Sequence, residues 1–124
     1  MVLVDTSVWV SHLRRGNAKL ERFLNRGDVA CHSLIIGELA CGHLRNRSEI
    51  LSSLQALPMT IEAEHEEVLR FIEHRQLMGK GLGYIDVRLL ASAVLTGVSL
   101  WTLDKKLSAM SVALGIGIER ELIR

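Results

Sequence analysis

Three short apolar runs, each followed by a helical stretch, constrain this fold more than any other sequence feature. The runs cover residues 2–4, 29–31 and 98–103. Continuous apolar runs of this length indicate strands that are buried on both faces, as in parallel sheets covered by helices. The alternation of strand and helix therefore predicts an α/β fold with a mostly parallel sheet. Ligands of such sheets bind at the carboxyl ends of the strands, so functional residues are expected there.

The helical stretches have recognisable ends. The first helix is predicted to begin at a cap formed by Thr6 or Ser7, and the second covers residues 18–25. Ser33 is predicted to cap a helix over residues 34–44, and a helix over residues 48–57 stops at Pro58. Later helices are predicted over residues 62–77, 85–95 and 105–114, with further short strands at residues 59–61 and 116–118.

Length and composition limit the classes of protein that fit. With 124 residues, of which 48% are hydrophobic, the chain is expected to form one domain spanning residues 1–124. Aromatic residues make up only 4%, which argues against a nucleic-acid binder that stacks bases on an aromatic platform. Two cysteines form no disulfide framework, and we identify no signal peptide or membrane-length apolar run. We therefore expect a cytoplasmic protein with reduced thiols and no membrane partner.

Four acidic residues stand in apolar surroundings. Asp5 follows the first predicted strand, Asp104 follows the run at 98–103, Asp86 opens a helix and Glu38 lies within one. Asp5 and Asp104 should meet, because the carboxyl ends of parallel strands share one edge. Converging carboxylates repel one another and take up protons unless a cation lies among them. Carboxylate oxygens favour Mg²⁺ or Mn²⁺, although each acid by itself could also be a helix cap.

Hydroxyl side chains neighbour two of these acids. Thr6 and Ser7 follow Asp5, and Thr102 precedes Asp104 by two positions. Such hydroxyls could orient the carboxylates or a water molecule. A divalent cation among carboxylates is one of the means by which proteins promote phosphodiester hydrolysis, so the pattern points to phosphoryl chemistry.

The ordered set of motifs resembles the PIN domain family and, within it, the VapC toxins of toxin–antitoxin pairs. It consists of Asp5-Thr6-Ser7, Glu38 in an early helix, Asp86 before Leu89-Leu90-Ala91-Ser92-Ala93, and Leu100-Trp101-Thr102-Leu103-Asp104. The resemblance covers essentially the whole chain and implies a three-layer α/β/α fold. It also implies a Mg²⁺- or Mn²⁺-dependent endoribonuclease that forms a homodimer and is inhibited by a cognate antitoxin. Asp5, Glu38, Asp86 and Asp104 then take the metal-site positions, with Thr6, Ser7 and Thr102 beside them.

The balance of charge agrees with an RNA substrate. The net charge is +1, but without the four acids 15 basic residues face 10 acidic ones, so the rest of the chain carries +5. Basic residues in predicted loops or helix ends could contact RNA phosphates, namely Arg14, Arg15, Lys80, Lys105 and Lys106. Trp9, Leu13 and Leu44 could form an apolar groove for an antitoxin helix, with Trp9 equally able to be core.

Other interpretations remain open. A PIN nuclease of RNA processing, or a PIN-like binding module without catalysis, would carry the same motifs. The segment Gly79-Lys80-Gly81-Leu82-Gly83 lacks the spacing of a phosphate-binding loop. Buried thiols and surface histidines are favoured over a zinc site formed by Cys31, His32, Cys41 and His43.

Overall fold

A small parallel sheet organises the chain. The structure, a computed structural model, describes residues 1–118. Strands β1 (Val2–Val4), β2 (Val29–Ala30) and β3 (Ser99–Trp101) lie in the order β2-β1-β3. Val2 pairs with Val29 on one side and with Ser99 on the other, and both pairings are parallel. The predicted α/β fold with a parallel sheet flanked by helices is thus confirmed.

Each outer strand gains one further parallel bridge. Cys31 pairs with Met59 beside β2, and Leu100 pairs with Gly117 beside β3. The two short strands predicted at residues 59–61 and 116–118 are therefore present as single bridges. They widen the sheet without forming full strands.

Helices connect the strands and cover the sheet. In the described part of the chain they are α1 (Thr6–Arg15), α2 (Ala18–Asn25), α3 (Ser33–Ala40), α4 (Arg47–Gln55), α5 (His65–Arg75), α6 (Tyr84–Thr96) and α7 (Lys105–Ala113). All seven predicted helices exist, with α3 and α5 shorter than expected. Ser33 is the first residue of α3 rather than its cap. His32 caps this helix, since its Nδ1 accepts a hydrogen bond from the Leu34 N–H at 3.0 Å.

Two apolar clusters form the interior. The larger surrounds β1, with all three of its side chains buried, and includes Leu89 and Leu90 of α6. The smaller lies between α5 and α6 and includes Val68 and Val87. Helix α6 is therefore buried on two faces, which explains why its sequence is apolar nearly all round.

Helix length bears on the membrane prediction. Between residues 1 and 118, the structure contains no helix with both the length and the apolar character needed to span a bilayer.

Candidate active site

Asp5 lies at the centre of a hydrogen-bonded group where β1 and β3 end. Its N–H donates to Trp101 O at 2.9 Å, which continues the sheet ladder by one residue. Its carboxylate is buried and does not cap α1. Instead, Oδ2 accepts hydrogen bonds from Thr102 Oγ1 at 2.7 Å and Ser7 Oγ at 2.9 Å. The two hydroxyls thereby fix the orientation of this carboxylate and leave Oδ1 directed elsewhere.

The same two hydroxyls hold the turn that carries Asp104. Thr102 Oγ1 accepts from the Asp104 N–H at 3.1 Å, and Ser7 Oγ accepts from the Leu103 N–H at 3.0 Å. Asp104 itself caps α7, because its Oδ1 accepts from the Leu107 N–H at 2.9 Å. The cap interpretation is therefore correct for one oxygen of Asp104, which leaves its second oxygen for other partners.

Asp86 is close enough to Asp5 and Asp104 to sense their charges. It lies in the first turn of α6, where its Oδ2 accepts from the Gly83 N–H at 3.2 Å. Burial raises the pKa of Asp86 above its usual 3.8, the Gly83 hydrogen bond partly opposes this, and the carboxylates of Asp5 and Asp104 raise it further. Three of the four predicted acids thus share one negatively charged region.

Glu38 joins this region through Thr6. Thr6 Oγ1, on α1, donates to Glu38 Oε1, on α3, at 2.7 Å. Glu38 is exposed, and Oε1 is the oxygen that accepts this hydrogen bond. Thr6 follows Asp5 directly, and this contact places Glu38 on the Asp5 side of the site.

The acids do not form a closed metal cage. Within residues 1–118, no three His, Cys, Asp or Glu side chains come together as a preformed metal site. The donor set nevertheless fits a divalent cation, because all four acids offer hard oxygen ligands and none has a salt-bridge partner in the described chain. One oxygen of each acid also has no hydrogen-bond donor among the described residues, namely Asp5 Oδ1, Glu38 Oε2, Asp86 Oδ1 and Asp104 Oδ2.

All five predicted RNA-contacting residues are exposed. Arg14 and Arg15 end α1, and Lys80 belongs to the loop before α6; all three are exposed. Lys105 and Lys106 begin α7 next to Asp104 and are also exposed. The Lys106 ammonium lies 2.8 Å from where a Cβ on Gly81 would stand, so this lysine crosses the glycine loop. A side chain at position 81, where φ is +77°, would strain the backbone and would require the flexible end of the Lys106 side chain to move.

His32 contradicts the prediction of surface histidines. It is fully buried and caps α3. Because Nδ1 accepts the Leu34 N–H, the ring proton is on Nε2, which donates to Ser92 Oγ at 3.1 Å. Burial lowers the pKa of His32 below its usual 6.5, the Glu62 carboxylate opposes part of this shift, and Arg88 adds to it. A neutral His32 therefore links α3, which carries Glu38, to the core helix α6.

The cysteines divide between interior and surface. Cys31 is buried as expected, and burial raises its pKa to about 11. Cys41 is exposed at the end of α3, contrary to the prediction of a buried thiol. One thiol therefore lies in the interior and the other lies at the surface.

Two neighbouring grooves open beside α1. The apolar groove, of about 410 Å³, is lined by Trp9, His12, Leu13, Leu24, Leu54 and Leu57 among others. The basic groove, of about 650 Å³, is lined among others by Thr6, Glu38, Leu13, Leu44, Arg14 and Arg45. Trp9 and Leu13 thus share a groove as predicted, whereas Leu44 lines the neighbouring one. Trp9 is also core, being only 5% exposed.

Known proteins with similar sequences and folds agree with this geometry. The chain is 42% identical over 123 residues to Ribonuclease VapC32 of Mycobacterium tuberculosis, in both strain CDC 1551 and strain H37Rv, covering 98% of this chain and 99% of the relative. Its fold matches the crystal structure of PAE2754 from Pyrobaculum aerophilum with a TM-score of 0.66 at 20% identity, over 97% of this chain and 89% of that one. The PIN domain family matches residues 2–113, a span that contains all four acids and the three strands that position them. On this match, together with the shared sequence, the chain belongs to the PIN domain family and is VapC-like.

Proposed function

We propose that this protein is a divalent-metal-dependent endoribonuclease that acts as the toxin of a toxin–antitoxin pair. One observation carries the proposal: Asp5, Asp86 and Asp104 crowd at the carboxyl edge of the sheet with no basic partner in the described chain. Such a group of carboxylates is suited to holding a cation. The relatives named Ribonuclease VapC32 support RNA as the substrate.

Asp5, Asp86 and Asp104 are the proposed direct ligands of Mg²⁺, or of Mn²⁺ in its place. Glu38 is either a fourth ligand or the group that orients the attacking water. When bound, the metal would supply charge stabilisation at the scissile phosphate and activate water for hydrolysis. A raised pKa at Asp86 fits this assignment, because an added positive charge would relieve the repulsion from Asp5 and Asp104.

Hydroxyl side chains keep these acids in place. Ser7 and Thr102 both donate to Oδ2 of Asp5, so its other oxygen is left without a hydrogen-bond donor among the described residues. Thr6 does the same for Glu38. Orientation of this kind reduces the freedom that each carboxylate would lose on binding a cation or substrate.

Exposed basic side chains would guide the RNA toward the acids. Arg14 and Arg15 stand at the end of α1, while Lys80, Lys105 and Lys106 stand near the glycine loop and the start of α7. A positive surround favours approach of a polyanion to a site that is itself negative.

An antitoxin is the proposed protein partner, and the apolar groove is its proposed docking site. The indole Nε1–H of Trp9, in this groove, is buried and has no acceptor within residues 1–118. A partner segment with apolar side chains and one acceptor would suit such a groove. We further propose, as for VapC-like proteins generally, that the protein acts as a homodimer in the cytoplasm.

Mapping of cleavage sites on total RNA tests the enzyme proposal. The purified protein should produce discrete new 5′ ends with Mg²⁺ and none with a chelator, and Asp5→Asn should produce none under either condition. Growth arrest on expression, relieved by Asp5→Asn or by the antitoxin, would separate a toxin from an RNA-processing enzyme. Intact RNA after incubation of the folded, Mg²⁺-loaded protein would contradict the nuclease and favour a binding module.

A further inference from the structure

The basic groove runs directly out of the acidic site. Thr6 and Glu38, which are hydrogen-bonded to each other, form one of its walls. Its volume of about 650 Å³ is within the range of roughly 300–1,000 Å³ that is usual for small-ligand pockets. A polymer held with one phosphate at the acids would therefore have room for the next nucleotides in this groove.

The groove carries positive charge that no described residue neutralises through a salt bridge. Arg14, at the end of α1, and Arg45, in the loop before α4, both line it and are exposed. In the described chain neither arginine forms a salt bridge. Among residues 1–118, Glu38 is the only acid lining the groove. The electrostatic complement of such a surface is an anion that begins near the metal-site acids and extends away from them.

The loop that presents Arg45 is held in place. Arg47 donates from Nη1 to Gly42 O at 3.1 Å and from Nη2 to Ala40 O. These bonds tie the first residue of α4 to backbone carbonyls at the end of α3. Because the ends of the loop are tied together beforehand, mainly the exposed Arg45 side chain has to be ordered when an anion binds.

We infer that the basic groove is a subsite for single-stranded RNA adjoining the scissile phosphate. Arg14 and Arg45 contact backbone phosphates, and Leu13 and Leu44 offer an apolar surface to a base. The inference rests on the proposed function and adds to it the direction in which the bound RNA strand extends from the acids.

The role of the two arginines is tested by measuring RNA binding in proteins that also carry Asp5→Asn, which blocks cleavage of the probe. The probe is a fluorescein-labelled single-stranded RNA of random sequence, followed by anisotropy at several salt concentrations. Arg14→Gln and Arg45→Gln together should weaken binding about 25-fold, taking about fivefold for each exposed charge pair. The salt slope should fall by about 1.4, since each contact with single-stranded RNA contributes about 0.7. Lys19→Gln with Arg22→Gln is the matched control, because it removes two exposed charges from α2.

The base contact has its own test in the active protein. Leu44→Ser should alter which sequences are cleaved in total RNA while leaving the salt slope of binding unchanged, because no charge is removed. Thermal melting of each variant checks that its fold is kept.

The outcomes distinguish RNA from an antitoxin as the occupant of the groove. They also distinguish failure of the subsite from failure of the proposed nuclease. Equal effects of the α2 control and the groove pair, or unchanged RNA binding by the groove pair, would overturn the subsite. Loss of antitoxin binding alone would make the groove a protein docking site and would equally overturn it. A protein that binds RNA through Arg14 and Arg45 but never cleaves it would contradict the nuclease and leave the subsite standing.

Discussion

Replacing Asp5 by Asn should remove a negative charge from the site while leaving its hydrogen bonds and the fold in place. Asp5 Oδ2 accepts the hydroxyl hydrogens of Ser7 and Thr102, whose own oxygens already accept backbone N–H groups. An Asn carbonyl oxygen in the same place can accept both. The metal-free variant should therefore keep its free energy of unfolding within about 1 kcal/mol. A small gain is expected, because Asp86 loses a repelling neighbour.

Asp5→Ala is the matched contrast. It leaves two hydroxyl donors without their acceptor, one of them on Thr102, which is buried. Leaving such groups unsatisfied costs about 1–3 kcal/mol. For a chain of this length, that corresponds to a melting temperature lower by about 4–12 °C.

Metal binding supplies the decisive measurement. At a Mg²⁺ concentration about 100 times its dissociation constant, the unsubstituted protein should gain about 2.7 kcal/mol. Its melting temperature, measured by calorimetry with Mg²⁺ and with chelator, should rise by about 10 °C. Asp5→Asn should show no such rise and no RNA cleavage.

Two results would refute this reasoning. An Asp5→Asn protein that still gains the full Mg²⁺ shift would show that Asp5 is not a ligand. An Asp5→Asn protein as unstable without metal as Asp5→Ala would show that the two hydroxyls need the charge of the carboxylate and not merely an acceptor oxygen.

Three further predictions concern the supporting residues. Glu38→Gln keeps an oxygen for its hydroxyl donor on α1, so stability should hold while RNA cleavage falls by about a hundredfold or more; cleavage at the normal rate would place Glu38 outside the mechanism. Thr102→Val removes a hydrogen bond to Asp5 and should cost about 1–3 kcal/mol in urea denaturation, and an unchanged midpoint would contradict the role given to this hydroxyl. The pKa of His32 is lower in the folded state than its usual 6.5, so the unfolded chain takes up the proton first as the pH falls. Stability should therefore fall as the pH drops below 6.5 and through the folded pKa. His32→Asn, which can still accept from the Leu34 N–H, should remove that dependence; an identical pH profile in both proteins would assign the slope to other groups.

The sequence was most informative where one local rule decides the structure. Runs of apolar residues identified β1, β2 and β3, and helix α2 has the predicted bounds because Asn17 caps it and residues 26–27 end it. The strand-end rule also placed Asp5 and Asp104 at one edge, and the structure brings Asp86 within reach of both charges.

Contacts between distant parts of the chain were beyond these rules. The bond from Thr6 to Glu38 spans 32 positions, and that from Thr102 to Asp5 spans 97. His32 was missed because Ser33, an equally good cap, stands beside it, and because its partner Ser92 lies within an apolar helix. Periodicity indicates which face of a helix is buried, but it does not show which polar groups meet there.

Helix termini explain how this chain tolerates three crowded acids. Asp5 stands at the N-terminus of α1, Asp104 at that of α7, and Asp86 in the first turn of α6. The positive end of a helix dipole stabilises a nearby negative charge by about 0.3–1 kcal/mol. The sheet register brings the starts of α1 and α7 to the same edge, because Val4 of β1 pairs with Trp101 of β3 and Asp5 and Asp104 follow soon after these residues. Glu38 does not lie at a helix N-terminus. It is exposed, and it accepts a hydrogen bond from the neutral hydroxyl of Thr6. The fold can therefore form with its acids in place before any cation binds, and the repulsion that remains, which acts on Asp86, is what a cation would relieve.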